Sequence, residues 1–256
     1  MHRLIVLTLA ALCAAPALAQ HAGDIVLAVR NGRILTGVGT PSAGTFVPTR
    51  SFDVTLGATG VPLFSSNPGY DCEPGTFNGF QPVGFNIADR LWFWNGSTFV
   101  QTSGEVMQIN VGATVRVSAE VPVAGFAITA GSTGEWHNHL GMTLQRGSAP
   151  AVTQGVYLLT LEMFSGSLQN SPPHYLVVRS NASQDPAPAE DFVRTRIVPP
   201  ILAGDADGDG VVGFTDLNLV LSDYGVSGRW LRGDVNRDGV VDFLDLNIVL
   251  SAYGAH

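Results

Sequence analysis

This 256-residue chain predicts a mainly β fold, an N-terminal antiparallel β-sandwich or jelly-roll with a small C-terminal α module of two loop–helix repeats. Three observations carry that expectation. Short β-branched and aromatic runs alternate with Gly, Pro, Ser and Asn turns from residue 20 to about residue 196. That stretch shows no helical apolar stripe. Beyond it, one acidic twelve-residue pattern occurs twice, its copies twenty-nine residues apart, each followed by helical spacing.

Residues 1–19 read as a secretory signal. Arg3 supplies a positive start, Leu4 to Leu12 an apolar core, and Ala17-Leu18-Ala19 a small-residue cleavage site that predicts a mature chain from Gln20 and a secreted, extracellular or cell-surface protein. No other run is long and apolar enough for a membrane span. Without the signal, Cys72 is the only cysteine, so no internal disulfide is possible and the fold must rest on its core and on bound metal. Cys72 itself reads as a small buried residue. The 13 Lys+Arg are all arginine, which excludes lysine-based covalent or base chemistry. Against 21 acids they leave a formal net charge of −8 and no basic stripe, so nucleic acid is not an expected partner.

Residues 20–180 are assigned to the β-sandwich domain. Its strand candidates include Ile25 to Val29, Arg90 to Trp94, Thr114 to Val117, Gly155 to Leu161 and Tyr175 to Val178. About 175 residues suffice for one substantial core. Alternation puts Trp92 and Trp94 on one strand face and Phe93 on the other, as a core face or a sugar-stacking platform, with core the preferred reading. In Glu135-Trp136-His137-Asn138-His139 the two imidazoles share a face of an extended strand and can grip one Zn²⁺ or Cu²⁺ ion. His21, beside the expected mature N-terminus, or His174, before the last predicted strand, is the candidate to complete that site; solvent-facing or hydrogen-bonded histidines are the plainer alternative. The acids of the body form no recognisable glycosidase pair, and neither G-x-S-x-G nor H-E-x-x-H occurs.

Residues 181–202 read as a linker, since Pro186, Pro188, Pro199 and Pro200 stand among small and acidic residues and favour extended, poorly packed chain with independent modules on either side. Residues 203–256 hold the repeats. Asp205, Asp207, Asp209 and Asp216, and Asp234, Asn236, Asp238 and Asp245, place side-chain oxygens at positions 1, 3, 5 and 12 of a calcium loop. Gly210 and Gly239 occupy the sharp turn at position 6, and Val211 and Val240 offer backbone carbonyls at position 7. At position 9 Asp242 can bind directly or through water, whereas Gly213 cannot. The following helices are expected to bury Leu217, Val220, Leu221 and Tyr224, and Leu246, Val249, Leu250 and Tyr253, before stopping at Gly225 and Gly254. Nine aspartates against three arginines from residue 203 onward make this tail the main source of the negative charge.

Tandem loop–helix repeats with Asp at position 12, and no helix before the first loop, resemble a type I dockerin, with pairs like those in secreted proteins of planctomycete-type bacteria. The resemblance implies two bound Ca²⁺ ions and a cohesin-like or other extracellular protein partner. Positions 10 and 11 are Phe214-Thr215 and Phe243-Leu244 instead of the small hydroxylated pair of cellulosomal dockerins, so the cellulosomal partner does not follow. In layout the body is similar to a group of uncharacterised secreted bacterial proteins, some of which look zinc-linked by their regulation. Together these readings give a non-catalytic binding body carried by a docking tail. The alternative is a polysaccharide-active enzyme or carbohydrate-binding module delivered by that tail.

Overall fold

The structure, a computed structural model, describes residues 23–166, 168–198, 202–207 and 211–255. Among the described residues fifteen strands follow in chain order: β1 (Ile25–Arg30), β2 (Arg33–Val38), β3 (Val47–Pro48), β4 (Ser51–Thr55), β5 (Phe64–Ser65), β6 (Tyr70–Asp71), β7 (Pro82–Ile87), β8 (Trp92–Trp94), β9 (Phe99–Gln101), β10 (Val106–Val111), β11 (Thr114–Val117), β12 (Val123–Thr129), β13 (Gly141–Gln145), β14 (Val156–Phe164) and β15 (His174–Arg179). The first hairpin shows why the chain turns where it does. Asn31 (φ 51°) and Gly32 (φ 74°) are both left-handed between paired Arg30 and Arg33, the two-residue turn whose twist matches its strands.

Three sheets form: β3-β2-β1-β6, β11-β10-β13-β5 and β12-β7-β14-β15-β4, with β8 and β9 attached beside β14. Pairing is antiparallel except for β1 with β6 and β4 with β15, which run parallel. The sheets share one core in a sandwich-like arrangement, mainly β as expected. Ile25 and Leu27 reach it from the first sheet, Met107, Ile109 and Leu144 from the second, and Phe85, Tyr157, Leu159 and Leu161 from the third. On β14 the alternation is strict: Val156 and Leu158 point the other way, into a second apolar cluster on the outer face of the large sheet.

That outer cluster corrects the reading of residues 181–202 as extended chain. Ala187–Phe192 forms α1 and continues as a π-helical turn, Val193–Ile197. Ala189, Val193 and Ile197, spaced by four, are buried against Val156, Leu158, Val177 and Phe99. Pro186 and Pro188 do not prevent this, because they lie at the helix start, where a missing N–H costs no intrahelical bond.

The tail contains α2 (Phe214–Asp223) and α3 (Phe243–Ala252). Both end at left-handed glycines, Gly225 (φ 81°) and Gly254 (φ 85°). The two repeats interlock reciprocally. Gly225 N donates to Val241 O and Val241 N to Val226 O, while Gly254 N donates to Val212 O and Val212 N to Ala255 O. Val212, Val220, Val241 and Val249 form the small core between them. The expected helical stripe is only half right, since Leu221, Tyr224, Leu250 and Tyr253 are exposed along with Phe214 and Phe243. A core of four valines leaves no room for the outer half of each stripe.

The tail also rests on the body, contrary to the independence its linker composition suggested. Trp230 packs edge-on against Trp92 (5.1 Å between centroids), Phe192 (6.0 Å) and Phe99 (6.1 Å). Arg229 pairs with Asp89 at 3.2 Å and lies over Trp92. Trp94 stacks tilted on Phe99 and edge-on against Phe192, so Trp92 and Trp94 serve packing on the outer face while Phe93 meets Tyr157 in the main core.

Candidate metal centres

The two acidic loops fold as the same local device. Asp216, third residue of α2, accepts hydrogen bonds from Ala206 N (2.7 Å) and Asp207 N (3.1 Å) on one carboxylate oxygen and from Gly213 N (2.7 Å) on the other. Asp245, third residue of α3, likewise accepts from Asn236 N (3.1 Å) and Asp242 N (2.9 Å). A carboxylate at this helix position satisfies amides that the helix cannot and faces the positive end of its dipole. Position 12 of each loop is thereby tied to its beginning before any ion is considered.

Asp205, Asp216, Asp234 and Asp245 are all buried. In the first loop Asp205, Asp207 and Asp216 each bring a carboxylate oxygen within 4.8 Å of the other two. In the second, Asp234 accepts from Asp238 N (3.1 Å) and Gly239 N (2.9 Å), and Asn236 Nδ2 donates to Asp238 Oδ2 at 2.9 Å. Arg237 (φ 66°) and Gly239 (φ 91°) are left-handed in this turn. Burial pushes the Asp234 carboxyl above its ordinary range, with Asp245 adding repulsion. In the first loop, grouped carboxylates suit a hard cation with six to eight oxygen ligands, so these residues fit Ca²⁺; the second loop offers the same kinds of oxygen donor, with Asp234 and Asp245 buried.

The remaining loop candidates divide. Asp209 lies outside the described residues, as do Gly208 and Gly210. Val211 and Val240 carry exposed side chains, as suits positions chosen for their carbonyls. Asp242 caps α3, its Oδ1 accepting from Leu244 N at 2.7 Å, so one of its oxygens already has a structural role. Arg237, at position 4 of the second loop, was not singled out by sequence. It is half-buried and donates to the carbonyls of Arg196 and Val198 at the end of the π-helical turn, joining this loop to the body.

On the body, Tyr70 and Asn138 exchange backbone hydrogen bonds (2.8 and 2.9 Å) in a lone bridge rather than a continuous strand. Local extension is enough to turn His137 and His139 to one side, with ring centroids 5.0 Å apart. His21 lies outside the described residues, and His174 is not beside the pair. Beside both rings is Asp24, whose Oδ2 is 3.9 Å from His137 Nδ1 and 3.9 Å from His139 Nε2. Asp71 Oδ1 is 3.6 Å from His137 Nδ1. His139 Nδ1 donates to Ser66 O at 2.8 Å, and Gly69 N donates to Asp24 Oδ1 at 2.9 Å. Sequence hid Asp24 because it precedes β1, far along the chain from the histidines; only the parallel pairing of β1 with β6 brings it beside them.

His174 is buried in the core instead, bonded through Nε2 to the Tyr70 hydroxyl at 2.7 Å and edge-on to Phe52. Desolvation lowers its pKa to about 3, so the ring is neutral. Two residues beyond Tyr70, Cys72 is buried, its sulfur accepting from Trp136 N at 3.1 Å.

No protein-family model matches this chain, and no curated protein matches it. Among solved structures, the CooA pilin subunit from enterotoxigenic Escherichia coli is similar over 54% of this chain and 92% of its own length. The identity is 13% and the TM-score 0.28, too slight a likeness to carry an argument.

Proposed function

We propose that this is a secreted, non-catalytic β-sandwich protein whose C-terminal loop–helix pair binds two Ca²⁺ ions and docks, in a calcium-dependent way, onto a cohesin-like or other extracellular protein. The observation that carries this reading is the combination of buried carboxylates inside both loops with apolar side chains outside both helices. Phe214 is 67% exposed and Phe243 64%, and Leu221, Tyr224, Leu250 and Tyr253 are exposed beside them. Bound Ca²⁺ would supply the positive charge that lets the loop carboxylates sit together out of water. The chain does the rest: Asp216 and Asp245 tie each loop to its helix, and the reciprocal valine contacts make the two loops one unit. Order in the loops therefore becomes order in the outward face, which is the link between the ion and the partner.

The test is calcium titration of the full chain followed by circular dichroism and limited proteolysis. Two equivalents should bind with gain of helicity and protease resistance, and Asp205→Ala with Asp234→Ala should abolish both gains. A tail equally folded in excess chelator would sink the mechanism. Phe214→Asp with Phe243→Asp should leave calcium binding intact while removing partner capture, separating the folding role of the loops from the docking role of the face.

A further inference from the structure

We propose that Asp24, His137 and His139 form a binding site on the β body for a divalent first-row transition metal ion, independent of the calcium loops. Each residue offers one donor atom, and the three donors lie within 4.8 Å of one another. Two imidazole nitrogens with one carboxylate oxygen are the donors that Zn²⁺, Fe²⁺ and Cu²⁺ take, whereas Ca²⁺ and Mg²⁺ want oxygen alone. The 3.9 Å separations from Asp24 Oδ2 to both rings exceed the roughly 3.4 Å between donors of a tetrahedral zinc by about half an ångström. Small side-chain rotations close that gap.

The groups behind these donors are arranged as a metal site requires. The Ser66 carbonyl holds the proton of His139 on Nδ1, which leaves the Nε2 lone pair facing Asp24 and His137. The Gly69 amide holds Asp24 Oδ1 and so aims Oδ2 at both rings. Gly69 also makes the space. A Cβ there would stand 2.7 Å from His139 Cε1, 2.8 Å from its Nε2 and 3.0 Å from Asp24 Oδ1. Asp71, beside His137, adds a second nearly buried carboxylate and raises the local preference for a cation. An open cleft of about 420 Å³, walled by Gly23, Asp24, Asn67, Pro68 and His139, leaves one side of the cluster reachable by an ion and by a further ligand. The competing account is a set of plain His–Asp ion pairs, which would hold no metal.

The full chain in saturating Ca²⁺ at neutral pH, titrated with Zn²⁺ by calorimetry and with Co²⁺ by visible absorption, decides between them. The site predicts one equivalent of Zn²⁺ beyond the calcium complement and ligand-field bands from Co²⁺ displaced by Zn²⁺. Replacing both histidines by alanine should remove that equivalent. Asp24→Asn keeps the Oδ1 acceptor for Gly69 N; with folding checked by its thermal transition without metal, it should bind Zn²⁺ at least about tenfold more weakly, no less than loss of an outer-shell partner costs. Gly69→Ala should weaken binding by about tenfold or more, by crowding His139. Asp205→Ala with Asp234→Ala should leave the equivalent in place, even if the calcium reading fails. The proposal is overturned if the wild-type chain takes up no stoichiometric Zn²⁺, if uptake survives loss of both histidines, or if it disappears with the calcium-loop aspartates.

Discussion

His174 and Cys72 are both buried polar groups with nothing to titrate at neutral pH, and each makes a separate prediction. Folded His174 has its pKa lowered by desolvation from 6.5 to about 3, so between those values the unfolded chain takes up a proton that the folded chain refuses. Stability from this residue is complete above about pH 6.5 and declines as pH falls toward 3, at up to about 1.4 kcal/mol per pH unit. Urea melts followed from about pH 7 to pH 4 should show a shallower acid limb in His174→Gln than in wild type, whatever the absolute stability of the variant. An identical slope would assign the acid sensitivity to other groups. Cys72 is 2% exposed, and burial pushes its thiol pKa up to about 12. It should react with a thiol reagent only after denaturation. Stoichiometric labelling of the native chain would mean that the contact between Cys72 and Trp136 opens readily.

At the scale of elements, each loop–helix repeat depends on its partner more than on itself. Gly204, at the entrance of the first loop, packs against Val249 of α3, and Gly233, at the entrance of the second, packs against Leu219 and Val220 of α2. A Cβ at Gly233 would stand 2.9 Å from both Leu219 O and Val220 Cα, and backbone cannot yield as a flexible side chain can. Gly233→Ala should therefore destabilise the tail by about 1–3 kcal/mol, the usual range for overpacking. It should also weaken calcium binding at both loops together, measurable by calorimetry. An effect confined to the second loop would show that the repeats fold separately. The body has a comparable device in α1 and the π-helical turn after it, where buried Ala189, Val193 and Ile197 seal a sheet face that would otherwise leave Val156, Leu158 and Val177 in water.

Across the whole molecule, the described residues Arg229 to Arg237 bring the tail onto the body. Trp230 enters the aromatic cluster of Trp92, Phe99 and Phe192, while Arg237 donates to carbonyls of Arg196 and Val198 from within the second acidic loop. Trp230→Ala should release the tail at a cost of about 1–3 kcal/mol, less than full burial would give because the indole is only half-buried. Small-angle scattering should then report a longer particle, and limited proteolysis a faster separation of tail from body. If particle length stays unchanged, Arg229 and Arg237 suffice to hold the tail. Because Arg237 belongs to the loop, the proposed Ca²⁺ ion there and the contact with the body would share one piece of backbone.

Period and spacing made much of this legible before any tertiary contact was known. The strands at Ile25, Val156 and Tyr175 followed from short β-branched and aromatic runs bounded by turn residues, and the helix stops at Gly225 and Gly254 from glycine after an apolar repeat. The candidate loop aspartates followed because a calcium loop draws its donors from one short segment, so the whole pattern lies within twelve residues. What only the tertiary structure decided depends on residues far apart in sequence. Asp24 joins His137 and His139 because β1 runs parallel to β6; α1 forms despite its prolines because the outer face of β14 needs a cover; and Leu221 and Leu250 stay outside because four valines already fill the space between the repeats. A local pattern states what a residue can do, but which partner it meets is set by pairing and packing across the chain, and these leave no mark in sequence spacing.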